Sequence, residues 1–213
     1  VKDSRGFTLI EMMLVVTILG IVLSMAVPSL SSYMDRRRVI AAAEALYGEF
    51  QYARSEAIAR SQDVFVSFST DGSDTWSVGV STTGGCDPTE TVVTAANACV
   101  MVIDDGDGNV HGTDPDGDGT DVTDNDDLVL RVMRSTNHPR IEMGNTAMGA
   151  VTFGGGVTQA RFDSTRGVVA GNGGTVALKL GDDHELRVIL GQIGRVRICS
   201  PNGVGYSQCP IVP

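Results

Sequence analysis

From Phe7 to Val27 the chain is an unbroken apolar run of 21 residues in which Glu11 is the only ionisable side chain. As a helix rising roughly 1.5 Å per residue, such a run reaches about 30 Å, the thickness of a bilayer's hydrocarbon core. A lone carboxylate near one end costs a few kcal/mol in that setting, on the order of 3, unless something pairs with it. Lys2 and Arg5 precede the run, and positive charge there favours keeping that end on the cytoplasmic side. A secretory signal places its small-residue cleavage site after the apolar stretch. Here the small residue, Gly6, comes before it, so a cut at that point leaves the helix on the mature protein.

Gly6-Phe7-Thr8-Leu9-Ile10-Glu11, behind a basic leader and ahead of an apolar run, closely resembles the start of the type IV pilin class. That class includes the pseudopilins of type II secretion. The resemblance implies that a prepilin peptidase cuts between Gly6 and Phe7, that the new amino terminus is methylated, and that Glu11 serves assembly. The amine of Phe7 on one subunit would then neutralise Glu11 on a neighbour, inside the inner membrane or inside a filament of other pilins or pseudopilins. Residues 1–6 are read as the leader, 7–28 as the transmembrane and filament-core helix, and 29–61 as its amphipathic continuation. Residues 62–213 form the head.

Pro28 removes a backbone donor and is predicted to loosen the helix. Pilin-like helices commonly carry a proline there. Beyond it Val39, Ala43, Leu46, Phe50, Ala53 and Ala57 recur at steps of three and four, an apolar stripe that requires a sheet to lie against. Asp35-Arg36-Arg37-Arg38 sits between the two patterns and reads as interfacial anchoring and filament contact. One helix from about Phe7 to about Arg60 follows. After Ser61 the period becomes two. Strands are predicted at Val64–Phe68 and Trp76–Val80, joined by the turn-forming Asp71-Gly72-Ser73-Asp74. Further strands are predicted at Leu128–Arg134, Ala150–Phe153, Ala160–Asp163, Thr175–Leu180, Glu185–Leu190 and Arg195–Cys199. The expected architecture is α+β, a helical spine packed on an antiparallel sheet.

The formal charge of -10 conceals a strong asymmetry. Residues 1–62 hold 7 Lys/Arg against 6 Asp/Glu, residues 63–127 none against 15, and residues 128–213 hold 9 against 5. The carboxy-terminal part is therefore basic, and the whole-chain charge does not exclude an anionic partner. The acidity concentrates in an insert at about 84–127. There Asp114, Asp116, Asp118 and Gly119 match the first half of an EF-hand-type Ca2+ loop. The twelfth position is Asn125 where a bidentate Glu belongs, so the alternatives are a looser Ca2+ site and a solvated loop. Four cysteines permit three pairings. Their placement as two local couples favours Cys86–Cys99 and Cys199–Cys209, which an oxidising compartment would preserve; four reduced thiols are the alternative. There is no CxxC, and His111, His138 and His184 are scattered, which argues against zinc. No nucleophile elbow or phosphate loop is present, so the chain does not read as an enzyme.

Phe162-Asp163-Ser164-Thr165-Arg166-Gly167, followed by Gly191-Gln192-Ile193-Gly194-Arg195-Val196-Arg197-Ile198-Cys199, resembles the GspH/FimT subgroup of pilin-like proteins. Its FimT members in naturally transformable bacteria bind double-stranded DNA through a carboxy-terminal Gly-Arg-x-Arg motif. The resemblance implies DNA contact by Gly194, Arg195 and Arg197. On one strand the two arginines would share a face some 6–7 Å apart, and Arg187 on the next strand would add a contact. The other reading is a purely structural subunit, either a GspH-like pseudopilin or an assembly-priming minor pilin.

The cleavage reading predicts that chain recovered from membranes begins at Phe7 when its mass is measured. Glu11→Gln should leave membrane insertion intact and abolish recovery of the chain in sheared filaments.

Overall fold

A computed structural model of the chain describes residues 6–70, 72–102, 128–145, 151–153, 156, 158–171, 173–203 and 205–209, apart from the side chains of 25–29 and 102. The candidate calcium ligands Asp114, Asp116 and Asp118 lie outside these residues. One helix, α1, covers Leu9–Arg60, and its backbone remains helical through position 28, where proline is predicted to loosen it. It stops because Ser61 turns to a positive φ of 51°. The amides of Ser61 and Gln62 then donate back to the carbonyls of Ile58 and Ala57, which satisfies the last turn.

The chain divides into two compact units, residues 1–37 and 38–213. In the first, the large apolar side chains of α1 are exposed, from Leu9 through Leu23. Its polar groups are satisfied locally. The hydroxyls of Thr17 and Ser24 donate to the carbonyls of Met13 and Ile21, each at 2.7 Å. Among the described residues no helix is long and apolar enough to cross a membrane; the predicted span, Phe7–Val27, continues into the excluded side chains of 25–29.

The second unit is built on the predicted stripe. Val39, Ala42, Ala43, Leu46, Phe50, Ala53 and Ala57 are all fully buried. They enter one core with alternate residues of β1 (Val64–Thr70), β8 (Gly174–Leu180) and β9 (His184–Leu190). The fold is α+β. One four-stranded antiparallel sheet runs β5-β2-β1-β7, with β2 at Trp76–Ser81, β5 at Val132–Arg134 and β7 at Gln159–Phe162. A second runs β10-β9-β8-β6, with β10 at Val196–Cys199 and β6 at Glu142–Gly144. Phe50 is the aromatic hub, its ring centroid 6.0 Å from that of Phe68 and 6.4 Å from those of Phe153 and Phe162.

Three expectations need correction. The predicted strand Leu128–Arg134 is two strands. β4 (Leu128–Leu130) pairs with β3 (Val100–Val102), whereas β5 pairs with β2. The exchange falls at Arg131, whose N–H donates to Cys99 O at 3.0 Å and whose carbonyl accepts from Val80 N–H at 2.9 Å. Its guanidinium forks onto Glu49 at 3.0 and 3.1 Å and lies 4.2 Å over the Tyr52 ring, so the junction is pinned to α1. Second, Ala150–Phe153 is not a strand over its described residues: Phe153 makes a single bridge, and its ring fills the space over Gly174, where a Cβ would lie 2.4 Å from it. Third, the insert assigned to 84–127 is folded at its start. Cys86 bonds Cys99, against Gly79, whose missing side chain makes room for Cys99 Sγ, and β3 follows.

Removing the hub should be costly. Phe50→Ala is expected to lower stability by about 3–5 kcal/mol, measured by urea denaturation.

Candidate nucleic-acid interface

The carboxy-terminal arginines are presented by the β9–β10 hairpin. Leu190 pairs with Val196, and the chain reverses through Gly191-Gln192-Ile193-Gly194. The Gly194 N–H donates to Gly191 O and the Gly191 N–H to Arg195 O, both at 2.9 Å. Gly194 has φ +73°, the left-handed residue that such a turn and its bulge require. It is also buried. A Cβ there would lie 2.2 Å from Gly167 O and 3.1 Å from Arg54 Nε. Arg54, on α1, donates from Nη1 to Gly194 O at 3.3 Å. Gly194 therefore serves packing between this turn, the Gly167 turn and α1.

Arg195 precedes β10 as the last residue of the turn, not as its first strand residue. Arg197 lies within the strand, opposite Ile189. Both are exposed, with buried Val196 between them, so the alternation still turns them to the same side. Neither side chain has a hydrogen-bond or ion-pair partner among the described residues. Arg187 differs. It sits opposite Cys199, and its Nε donates to Glu185 Oε1 at 2.7 Å, so its charge is already matched within β9.

The second quoted motif folds into a turn beside this hairpin. The Asp163 carboxylate accepts the amides of Thr165 and Arg166 at 2.9 and 3.1 Å, and the Asp163 carbonyl accepts that of Gly167 at 2.9 Å. Asp63 anchors the turn from outside by accepting the Ser164 amide at 2.9 Å. Gly167 packs against Arg54 and Ile58 of α1. The Val169 N–H donates to Gln192 O at 2.9 Å, tying the two turns together.

Below the arginines a disulfide closes Cys199 onto Cys209. Ser200, fully buried, donates its hydroxyl to Glu185 O at 3.0 Å. Tyr206 donates to Glu44 Oε1 on α1 at 2.8 Å. Burial, reinforced by the Glu44 carboxylate, pushes the Tyr206 phenol up to about 12. Arg197, Ile198, Tyr206, Glu44 and Tyr47 line a groove between β10 and α1. Both cysteine couples thus pair as their spacing favoured. Among the described residues no cluster of His, Cys, Asp and Glu is arranged to hold a metal.

At the other end Glu11 has a local role that its apolar setting concealed. Its carboxylate accepts the N–H and hydroxyl of Thr8, both at 3.0 Å, and its own amide donates to Thr8 Oγ1 at 3.3 Å. This is a reciprocal capping box, and its signature Thr-x-x-Glu is legible in the sequence. Gly6 and Phe7 lie ahead of the helix and are exposed.

Comparison with known families places the chain. The model for the type II transport protein GspH matches residues 42–194, and that for the prokaryotic N-terminal methylation motif matches residues 1–27. The chain belongs to the GspH family of pilin-like proteins. Among solved structures it is similar to the type IV minor pilin FimU of Pseudomonas aeruginosa strain PAO1 in two crystal forms. One match has 15% identity and a TM-score of 0.45, over 79% of this chain and 92% of that one. The other has 15% identity and a TM-score of 0.39, over 75% and 91%. No curated protein matches.

The Tyr206–Glu44 contact can be read spectroscopically. Subtracting the alkaline absorbance titration of Tyr206→Phe from that of the native chain should reveal a phenol ionising at about 12. Glu44→Gln should bring it part of the way back toward 10. The folded-state pKa is raised, so this contribution to stability is complete below about pH 10 and is lost as pH rises to about 12.

Proposed function

We propose that this chain is a minor type IV pilin whose head binds double-stranded DNA and contributes to DNA uptake. The observation that carries the reading is the pair Arg195 and Arg197, exposed, without partners among the described residues, and turned to one side of a braced hairpin. Guanidinium groups so placed attract the phosphate backbone and carry no base-reading geometry, so binding is sequence-independent and salt-sensitive. Two contacts give weak affinity alone. On a filament several copies acting together raise it through effective concentration.

Before assembly the apolar start of α1 holds the chain in the inner membrane with its head in the periplasm, where both disulfides persist. Prepilin peptidase removes residues 1–6. The chain then joins other pilins through its helix, with Glu11 meeting the freed amine of a neighbour's Phe7. A second reading, a structural pseudopilin of type II secretion without a nucleic-acid ligand, is favoured by the family description and by the Glu185 partner of Arg187.

Fluorescence polarisation of the full chain in neutral detergent with a random-sequence duplex separates the two. Native chain should bind at low salt, and replacing Arg195 and Arg197 together by Gln should flatten the dependence of log K on log salt by about 1.8, two phosphate contacts' worth. Absence of binding by the native chain at low salt would favour the structural pseudopilin.

A further inference from the structure

We infer that Arg166 is a third phosphate-contacting residue of the proposed DNA site, and that the site consists of two clasped turns and the start of β10 instead of one strand face. The inference rests on the DNA-binding reading above and deepens it. Arg166 lies 29 positions before Arg195 in the sequence and on a different element, so strand periodicity does not join them. The tertiary structure does. Gly167, its neighbour, meets Gly194, the neighbour of Arg195, so closely that a Cβ on Gly194 would stand 2.2 Å from Gly167 O. With Cα steps of about 3.8 Å on either side of that approach, the Cα atoms of Arg166 and Arg195 are separated by at most roughly 14 Å. Arginine side chains at that separation reach phosphates on one stretch of a duplex.

Three observations make Arg166 a ligand group and not a structural one. Its side chain is exposed and has no partner among the described residues, like those of Arg195 and Arg197. Cations on the flanking strands have carboxylate partners: Arg161 with Asp63 at 2.6 Å and Arg187 with Glu185 at 2.7 Å. The turn that carries Arg166 is held independently of its side chain, through Asp163 and Asp63. Arg54 completes the mounting. It touches Gly167 and donates to Gly194 O, so one side chain of α1 fixes both turns. The positive charge thus sits on a rigid support, with little conformational freedom left for binding to remove.

The test measures log K against log salt for the full chain in neutral detergent with a random-sequence duplex, from about 50 to about 200 mM. Removing one phosphate-binding charge flattens the slope by about 0.9 on B-form DNA. Arg166→Gln should flatten it by that amount, making the native-to-variant affinity ratio change by about 3.5-fold across that range. Arg166→Lys should keep the native slope, and both variants should melt at the native temperature. If the double Arg195 and Arg197 variant has a flattened slope while Arg166→Gln keeps the native one, this inference fails and the DNA reading stands. If Arg166→Lys flattens the slope as much as Arg166→Gln does, a phosphate contact by charge is likewise excluded. If the native chain does not bind, the DNA reading fails and takes this inference with it.

Discussion

The burial of one helical stripe is the constraint from which the head is built. Four of its seven fully buried residues are alanines, Ala42, Ala43, Ala53 and Ala57, which let strands approach the helix axis closely. Leu46 and Phe50 fill the centre. Once the stripe is covered, the rest of the helix surface becomes a row of attachment points. Glu44 holds Tyr206, Glu49 and Tyr52 hold Arg131, and Arg54 and Ile58 hold the turns at Gly194 and Gly167. Strand junction, disulfide-closed carboxy terminus and arginine-bearing turns all refer back to α1. Without the stripe none of these polar ties has a fixed partner, because neutral hydrogen bonds of this kind are each worth only about 1 kcal/mol net.

Charge is distributed on the same logic. Within β9 and nearby, cations are matched by carboxylates, whereas at the turns they project into water with no such partner among the described residues. A solvated arginine at a turn costs the fold little, and that leaves Arg166, Arg195 and Arg197 available for an external anion. Their support depends on two glycines, Gly167 at φ +59° and Gly194 at φ +73°: a side chain on Gly194 would force the turns apart, and one on Gly167 would press on Ile58 and Arg54 of α1. A net charge of -10 and a local cationic face coexist because the acids are concentrated in residues 63–127, and at physiological salt exposed charges act over about 8 Å.

The amino-terminal unit follows different rules. Its helix exposes apolar side chains around its described length, and an all-round apolar helix requires lipid or other helices to cover it. Its hydroxyls are returned to its own carbonyls and its carboxylate to Thr8. Those bonds are compatible with an environment that supplies no water. The Thr8–Glu11 box gives the carboxylate a partner within the same chain, with both Thr8 donors on its Oε2.

Several features were determined by sequence alone because they depend on neighbours a few positions apart. The apolar run, the heptad-like stripe, the end of α1 near Arg60, the β1–β2 hairpin and the two local disulfides all repeat or close over short distances. The capping box is equally legible from Thr-x-x-Glu. Tertiary structure alone decided the rest. Leu128–Arg134 reads as one strand because periodicity cannot show that Arg131 changes partners from Cys99 to Val80. The packing role of Gly194 is hidden in the sequence because the carbonyl of Gly167, 27 positions earlier, is invisible to any local pattern. Arg187 reads as free until Glu185 is seen bonded to it, and Arg166 joins Arg195 only through the meeting of their glycine neighbours. Local order follows from the period of the chain; which charges are matched follows from what the folded chain brings beside them.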